Sequence, residues 1–226
     1  MKIRIQFEKL GTVRFTSHKD VVRMFERAFA AAGVPVAWSE GFHPHMRMSF
    51  GPPLRTGWES REEYMDITME DFTSAGMDDF AALVNEKLPE GLVVNRVVAI
   101  DDRTPKLASD MSAVSLEVSV AADDAGTDAR AVSSRISNRF LTNNHAETVP
   151  RVREADVVQS EDALRIRYTS TMQNGRIVTP EDVVSAAIGD PESFRVPIKV
   201  VRLAQFVARG DRLVSPLDEG VVQASV

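Results

Sequence analysis

The sequence predicts an α+β fold made of two ferredoxin-like β-α-β-β-α-β units in tandem. Three observations predict it. Residues 2–7 alternate apolar and polar side chains, with Ile3, Ile5 and Phe7 on one face. Residues 19–32 carry Val21, Phe25, Ala28, Phe29 and Ala32 at three- and four-residue spacing, the stripe of an amphipathic helix. The same order of strand and helix patterns then recurs after residues 101–112, which are polar and contain Pro105. The expected organisation is a first unit over 1–100, a linker over 101–112, a second unit over 113–207 and a tail over 208–226.

Within the first unit, Gly33 supplies the stop for the helix, and Pro35 prevents its continuation. Residues 34–38 read as a second strand, 63–69 as a third, 80–88 as a second helix and 92–100 as the closing strand. In the second unit, strands are expected at 114–120, 156–159, 164–172 and 196–207, with helices at 129–140 and 181–187. Thr179-Pro180-Glu181 opens the last helix well, with threonine at the cap and proline in the first helical position. No residue-by-residue repeat links the halves, so the duplication rests on element order alone. The tail is turn-rich and reads as loosely ordered.

A chain of 226 residues suits one large domain or two small ones. Its 43% hydrophobic and 27% charged residues are those of an ordinary globular protein. The longest uncharged stretch around the first helix, residues 28–39, is far too short to span a bilayer. The first residues alternate charge and apolarity, unlike a secretory signal. The expectation is therefore a cytoplasmic protein with no membrane partner. With no cysteine, the chain cannot form disulfides, thiolate zinc sites, a cysteine nucleophile or a cysteine-held iron–sulfur cluster. No resident cofactor is expected, and whether a metal binds through His, Asp and Glu is left open.

Net charge is -6, but the distribution is uneven. Residues 1–60 hold nine Lys and Arg against five Asp and Glu, whereas residues 61–130 hold six against sixteen. A basic surface on an acidic protein can meet a polyanion, since the local field steers encounter; charges alternating along solvated faces are the plainer account.

Three clusters carry the candidate chemistry. The first is Arg14, Ser17, His18 and Asp20, followed by Arg23 and Arg27. Ser17 and Asp20 have the spacing of a capping box with Asp in place of Glu or Gln, which explains both structurally. His18 falls in the first helical turn, where a neutral histidine can ligate metal, accept a proton or contact a phosphate. Arg23 and Arg27 share one helical face, with Asp20 and Glu26 close enough to pair with them. The second cluster is Ser39, His43, His45, Arg47 and Ser49 in a loop stiffened by prolines. With Pro44 between them, His43 and His45 are expected to point opposite ways, which suits one functional histidine better than a metal clamp. The third is the acidic run containing Glu63 and Asp66, either of which can serve as a third ligand or general base, or simply line an exposed strand. His18, His43 and Glu63 are the catalytic candidates. Arg14, Ser17, Asp20, Arg23, Arg27, Ser39, His45, Arg47 and Ser49 are the binding candidates.

The dinucleotide fingerprint, P-loop, nucleophile elbow and H-E-x-x-H motif are all missing from the sequence. So is the aromatic strand signature of sheet-based RNA binders. Asn143, Asn144 and His145 form a polar run with no evident partner.

Several separated blocks share order and spacing with one family. They are Arg14-Phe15-Thr16-Ser17-His18-Lys19-Asp20, Phe25-Glu26-Arg27-Ala28, Ser39-Glu40-Gly41-Phe42-His43-Pro44-His45 and Ser49-Phe50-Gly51-Pro52-Pro53-Leu54, with Ser60 and Glu63-Tyr64. They resemble the radical-SAM-linked protein family, a domain of unknown function that stands alone, or is fused or genetically adjacent to a radical S-adenosylmethionine protein. It also often lies near a ribonuclease of the E/G type. Met46 and Trp58 depart from the family pattern, the first standing where a proline is more common. The resemblance implies an accessory role, binding or delivering a substrate for a radical SAM partner, and the ribonuclease neighbourhood implies RNA as that substrate. A doubled ferredoxin-like architecture also resembles the repeat-associated RNA-binding proteins of bacterial immunity, an analogy of fold alone.

Three functions follow as expectations. The first is an RNA-binding or accessory module acting with a radical SAM protein in RNA modification or processing. The second is an enzyme, an RNA-cleaving or metal-assisted hydrolase using His18 and His43. The third is a protein–protein adaptor docking through the acidic middle of the chain. Residues alone leave the question of catalysis open.

Overall fold

The computed structural model describes residues 1–70, 79–121, 128–141, 149–188 and 198–218. The chain divides into two compact units, one of Met1–Met111 with Val207–Val226, the other of Ser112–Phe206. Both mix strands and helices, so the fold is α+β.

In the first unit, the alternating N-terminal segment forms β1 (Lys2–Lys9). It pairs antiparallel on one side with β3 (Glu59–Thr68) and on the other with β4 (Leu92–Ile100). A short β2 (Met48–Phe50) adds to the far edge of β3, also antiparallel. Helices α1 (His18–Ala31) and α2 (Phe80–Asn85) cover one face. Register explains the core. Ile3 faces Ile67, Ile5 faces Met65 and Phe7 faces Glu63, so these six side chains share the helix-covered face. Phe25 and Phe29 from α1 enter that face fully buried, and Phe7 meets Phe25 edge-on at 4.8 Å. Each such burial stabilises by about 2–3 kcal/mol.

The expected strand over 34–38 takes a different form. Val36 makes one bridge to Met69 and Trp38 one to Met46, while the ladder strand lies further on, at β2. Pro35 lacks a donor, and the Val36 amide turns back to the Val34 carbonyl, which breaks the regular ladder. Strand β3 starts at Glu59, before the expected 63, and α2 ends at Asn85, before the expected 88. Gly91 turns the chain into β4 at φ +94°; a Cβ there would lie 2.3 Å from the Leu10 carbonyl oxygen.

The segment expected as a linker contains α3 (Leu107–Asp110), whose Leu107 is fully buried. Leu107 and Met111 are spaced as one apolar face and anchor it. The described part of the expected tail is also built in. Strand β8 (Lys199–Arg209) turns at Gly210 into β9 (Arg212–Val214), and Leu217 is 1% exposed. The polar side of β1 has its own anchor. Arg4 is wholly buried, grips Asp66 with Nε and Nη2 at 2.7 and 3.0 Å, and donates through Nη1 to the Pro216 carbonyl.

In the second unit, β5 (Met111–Ala121), from Ser112 on, pairs antiparallel with β7 (Ala163–Thr171), which pairs antiparallel with β6 (Val152–Gln159); the strand order is β8-β5-β7-β6. The helix expected over 129–140 is α-helical through α4 (Ala129–Ile136) and continues as a wider π-turn over Ser137–Leu141. Helix α5 (Pro180–Ile188) opens as its sequence predicts, with the Asp182 amide donating to Thr179 Oγ1. The Asn143, Asn144 and His145 run, and residues 196–197 of the expected closing strand, lie outside the described residues.

Candidate functional site

The first unit holds the candidate residues, and the start of α1 organises them. Ser17 is the N-cap: its Oγ accepts from the Asp20 amide, and the Asp20 carboxylate accepts from the Ser17 amide and hydroxyl. This is the reciprocal capping box the spacing predicts. The serine bonds hold the Asp20 carboxyl below its ordinary range, with Arg23 and Lys9 adding to the effect. Ser17 and Asp20 are thereby committed to each other, and Arg23 lies 3.9 Å from Asp20 with its side chain 67% exposed.

The cap sets His18 as the first helical residue. Its ring meets Phe50 edge-on at 5.2 Å. Phe50 ends β2 and packs against Phe7 and Phe25, so the aromatic core fixes one side of the imidazole. His18 lines two spaces. One is a recess of about 20 Å³, room for a water or so, walled by Phe7, Lys9, Val21 and Glu63 among others. The other is a groove of about 310 Å³, lined by His18, Val22, Glu26, His45, Met46, Met48, Phe50 and Gly51. That volume reaches the range of small-ligand sites.

His45 is brought to the groove by a closed loop. The Ser39 amide donates to the His45 carbonyl at 2.8 Å, and the His45 amide donates to Ser39 Oγ at 3.0 Å. Ser39 Oγ also lies 2.8 Å from His45 Nδ1. Nδ1 is thus engaged, and the other ring nitrogen is the one able to act in the groove. The two-histidine reading therefore needs a different partner from the one the sequence favours. His43 is exposed, and its recorded contact is a 3.4 Å approach of its carbonyl to His45 Nδ1. It lines neither space.

Glu63 is 7% exposed and faces the recess beside Lys9. Burial pushes the Lys9 ammonium below its ordinary pKa, while the Glu63 and Asp20 carboxylates push it back up. Lys9 Nζ donates to the Thr16 carbonyl at 2.9 Å. Asp66, the other acidic candidate, belongs to the Arg4 pair. Tyr64, beside Glu63 in sequence, points to the opposite face, where its hydroxyl accepts from Gln6 and donates to Glu62; burial raises its phenol well above the ordinary range.

The remaining candidates sit around this centre. Arg14 is bonded to Glu59 at 3.0 Å and lies over the Phe15 ring. Arg27 and Arg47 are exposed. Ser49 pairs with Asp66 in the β2–β3 ladder. Lys9 is a site residue that the sequence patterns do not single out, whereas Glu26 and Phe50 figure in them only as an ion-pair partner and as part of a motif block. Lys9 had a signal: it is the charge that ends the Ile3, Ile5, Phe7 stripe. Among the described residues no three His, Asp or Glu side chains gather where they could hold a metal ion. The site can accept and donate protons through two imidazoles, and the helix that bears His18 also exposes Arg23 and Arg27.

A family model described as "Uncharacterized protein conserved in bacteria (DUF2344)" matches residues 2–175. The chain belongs to that family. Among solved structures, the crystal structure of an unknown protein from Galdieria sulphuraria is similar at 12% identity, over 89% of this chain and 97% of that one, with a TM-score of 0.26. Comparison with curated proteins gives no match. Among the described residues, no helix is long and apolar enough to cross a membrane.

Proposed function

We propose that this protein is an RNA-binding accessory module that acts with a radical S-adenosylmethionine protein in RNA modification or processing. The observation that carries the RNA part is the groove wall with its two imidazoles, beside a helix that also exposes Arg23 and Arg27, in the basic part of an acidic chain. Arg23 and Arg27 each follow a groove residue of α1, Val22 and Glu26, by one position. Arg47 stands between the groove residues Met46 and Met48, so extended alternation turns it away from the groove, and it has no part in this reading. The radical SAM partner rests on the motif resemblance, and with it a cytoplasmic setting. On this reading the two units are tandem ferredoxin-like repeats. Their common β-α-β-β-α-β order supports that, as does a strand order of fourth, first, third in one and fourth, first, third, second in the other.

The test is a salt series of RNA binding. Replacing Arg23 and Arg27 by Ala removes two phosphate contacts and lowers the log–log salt slope by about 1.4 for a single strand. Wild-type binding no tighter than that of an unrelated acidic protein would remove the proposal.

The shared groove favours one further reading, in which His18 and His45 act as acid and base in RNA cleavage without a metal. Incubation of RNA with wild type, His18→Ala and His45→Ala decides it. RNA left intact by the wild type ends that reading.

A further inference from the structure

We infer that the groove beside α1 receives an unpaired nucleobase, so that the module binds single-stranded RNA in preference to duplex. The inference rests on the RNA reading above and specifies its substrate class.

The groove wall suits a base better than a bare phosphate group. Val22, Met46, Met48 and Phe50 give it apolar surface, His18 and His45 add two imidazoles, and Glu26 adds a carboxylate. A carboxylate repels a phosphate, whereas the Watson–Crick edge of every base presents at least one N–H that a carboxylate can accept. Arg23 and Arg27, exposed on the same helix as Val22 and Glu26, are the cations nearest in sequence to the wall and the ones available to a sugar–phosphate backbone.

Two exposed aromatic side chains belong to the chain segment that carries the groove residues His45 and Met46. Trp38 is 53% exposed and bridges Met46, a wall residue. Phe42 is fully exposed, at the turn of the loop that Ser39 and His45 close. Large apolar rings left in water lose the burial that stabilises others of their kind. On the loop that brings His45 to the groove, they match the stacking platforms on which single-stranded nucleic acids lay successive bases. A duplex gains little from such rings, because its bases are already stacked on one another and its accessible minor groove offers 2′-hydroxyls and base edges rather than base faces.

The chain has two tryptophans, and Trp58 is buried beneath Arg55, so Trp38 is the solvent-facing reporter. The experiment titrates full-length protein with a 12-nucleotide single-stranded RNA, and separately with the same RNA annealed to its complement. It follows tryptophan emission and the anisotropy of a label on the RNA. The single strand is expected to bind at least about tenfold tighter than the duplex and to quench Trp38. Phe42→Ala and Trp38→Ala should each weaken it by about tenfold with the salt slope unchanged. Both side chains are exposed, so these variants keep their fold, which a thermal melt verifies. Equal binding of single strand and duplex, or aromatic variants that bind as wild type, overturns the inference while leaving RNA binding standing. Absence of binding to either RNA removes both readings and assigns the face to a protein partner.

Discussion

The hydroxyl of Ser39 lies 2.8 Å from Nδ1 of His45 and also accepts the His45 backbone amide, so one serine orients both the ring and the chain that carries it. The loop between them presents Phe42 to solvent and His45 to the groove. Ser39→Ala removes two of the three bonds that close this loop and leaves the Ser39 amide bond to the His45 carbonyl. It is expected to leave the melting temperature within a few degrees of wild type, since the lost bonds are exposed. His45 should change its tautomer balance, read from its ring nitrogen shifts by NMR, and RNA affinity should fall several-fold. Unchanged His45 shifts would show that the serine does not set the ring.

Arg4 and Asp66 make a different kind of pair. Both are buried; removing Asp66 strands the guanidinium, and removing Arg4 leaves the Asp66 carboxylate with only the Lys2 ammonium at 3.5 Å. Arg4→Ala is expected to destabilise the first unit by about 3–5 kcal/mol in urea melts. Arg4→Met combined with Asp66→Leu should cost clearly less than Arg4→Ala, because the charge then left without its partner is Lys2, which reaches solvent. A loss for the double variant as large as that for Arg4→Ala would contradict the account.

The Ser17 and Asp20 box predicts a pH dependence with a definite sign. The Asp20 carboxyl titrates below its ordinary value of 3.8 in the folded chain. Its contribution is therefore fully present above that value and is lost as pH falls through the folded pKa. Ser17→Ala is expected to cost about 1 kcal/mol near neutrality. The gap to wild type should narrow in acid, measured by urea melts from pH 7 down to pH 3. A constant gap would separate Asp20 from the cap.

Lys9 runs the other way. Its folded pKa lies below the ordinary 10.5, so the unfolded chain holds the proton more tightly. Relative to Lys9→Met, wild-type stability should rise with pH between the folded value and 10.5 and stay level below that window. Urea midpoints for both proteins from pH 7 to pH 10.5 check this. Parallel curves would mean that burial does not penalise the ammonium.

Much of the local structure could be read from the sequence because it depends on neighbours along the chain. The stripe of Val21, Phe25, Ala28 and Phe29, the Ser17 and Asp20 box and the Thr179-Pro180 opening are all settled within four residues of backbone, and each appears where spacing places it. Residues 34–38 failed as a regular strand for an equally local reason, the proline and the turned-back Val36 amide, whose consequence for pairing depends on Met69 and Met46 far along the chain.

The site divides along the same line. The sequence by itself determined that the suspicious residues cluster near the start of α1 and in the stiff loop after it, and that no cysteine chemistry takes part. Only the tertiary structure decided which of them meet. His45 rather than His43 lines the groove with His18, because the Ser39 bonds turn that ring and no pattern of spacing encodes the turn. Asp66 is held by Arg4, sixty-two positions away, while Glu63 shares a recess with Lys9. Strand alternation sends Glu63 and Asp66 to opposite faces of β3, and what waits on each face depends on packing from elsewhere in the chain.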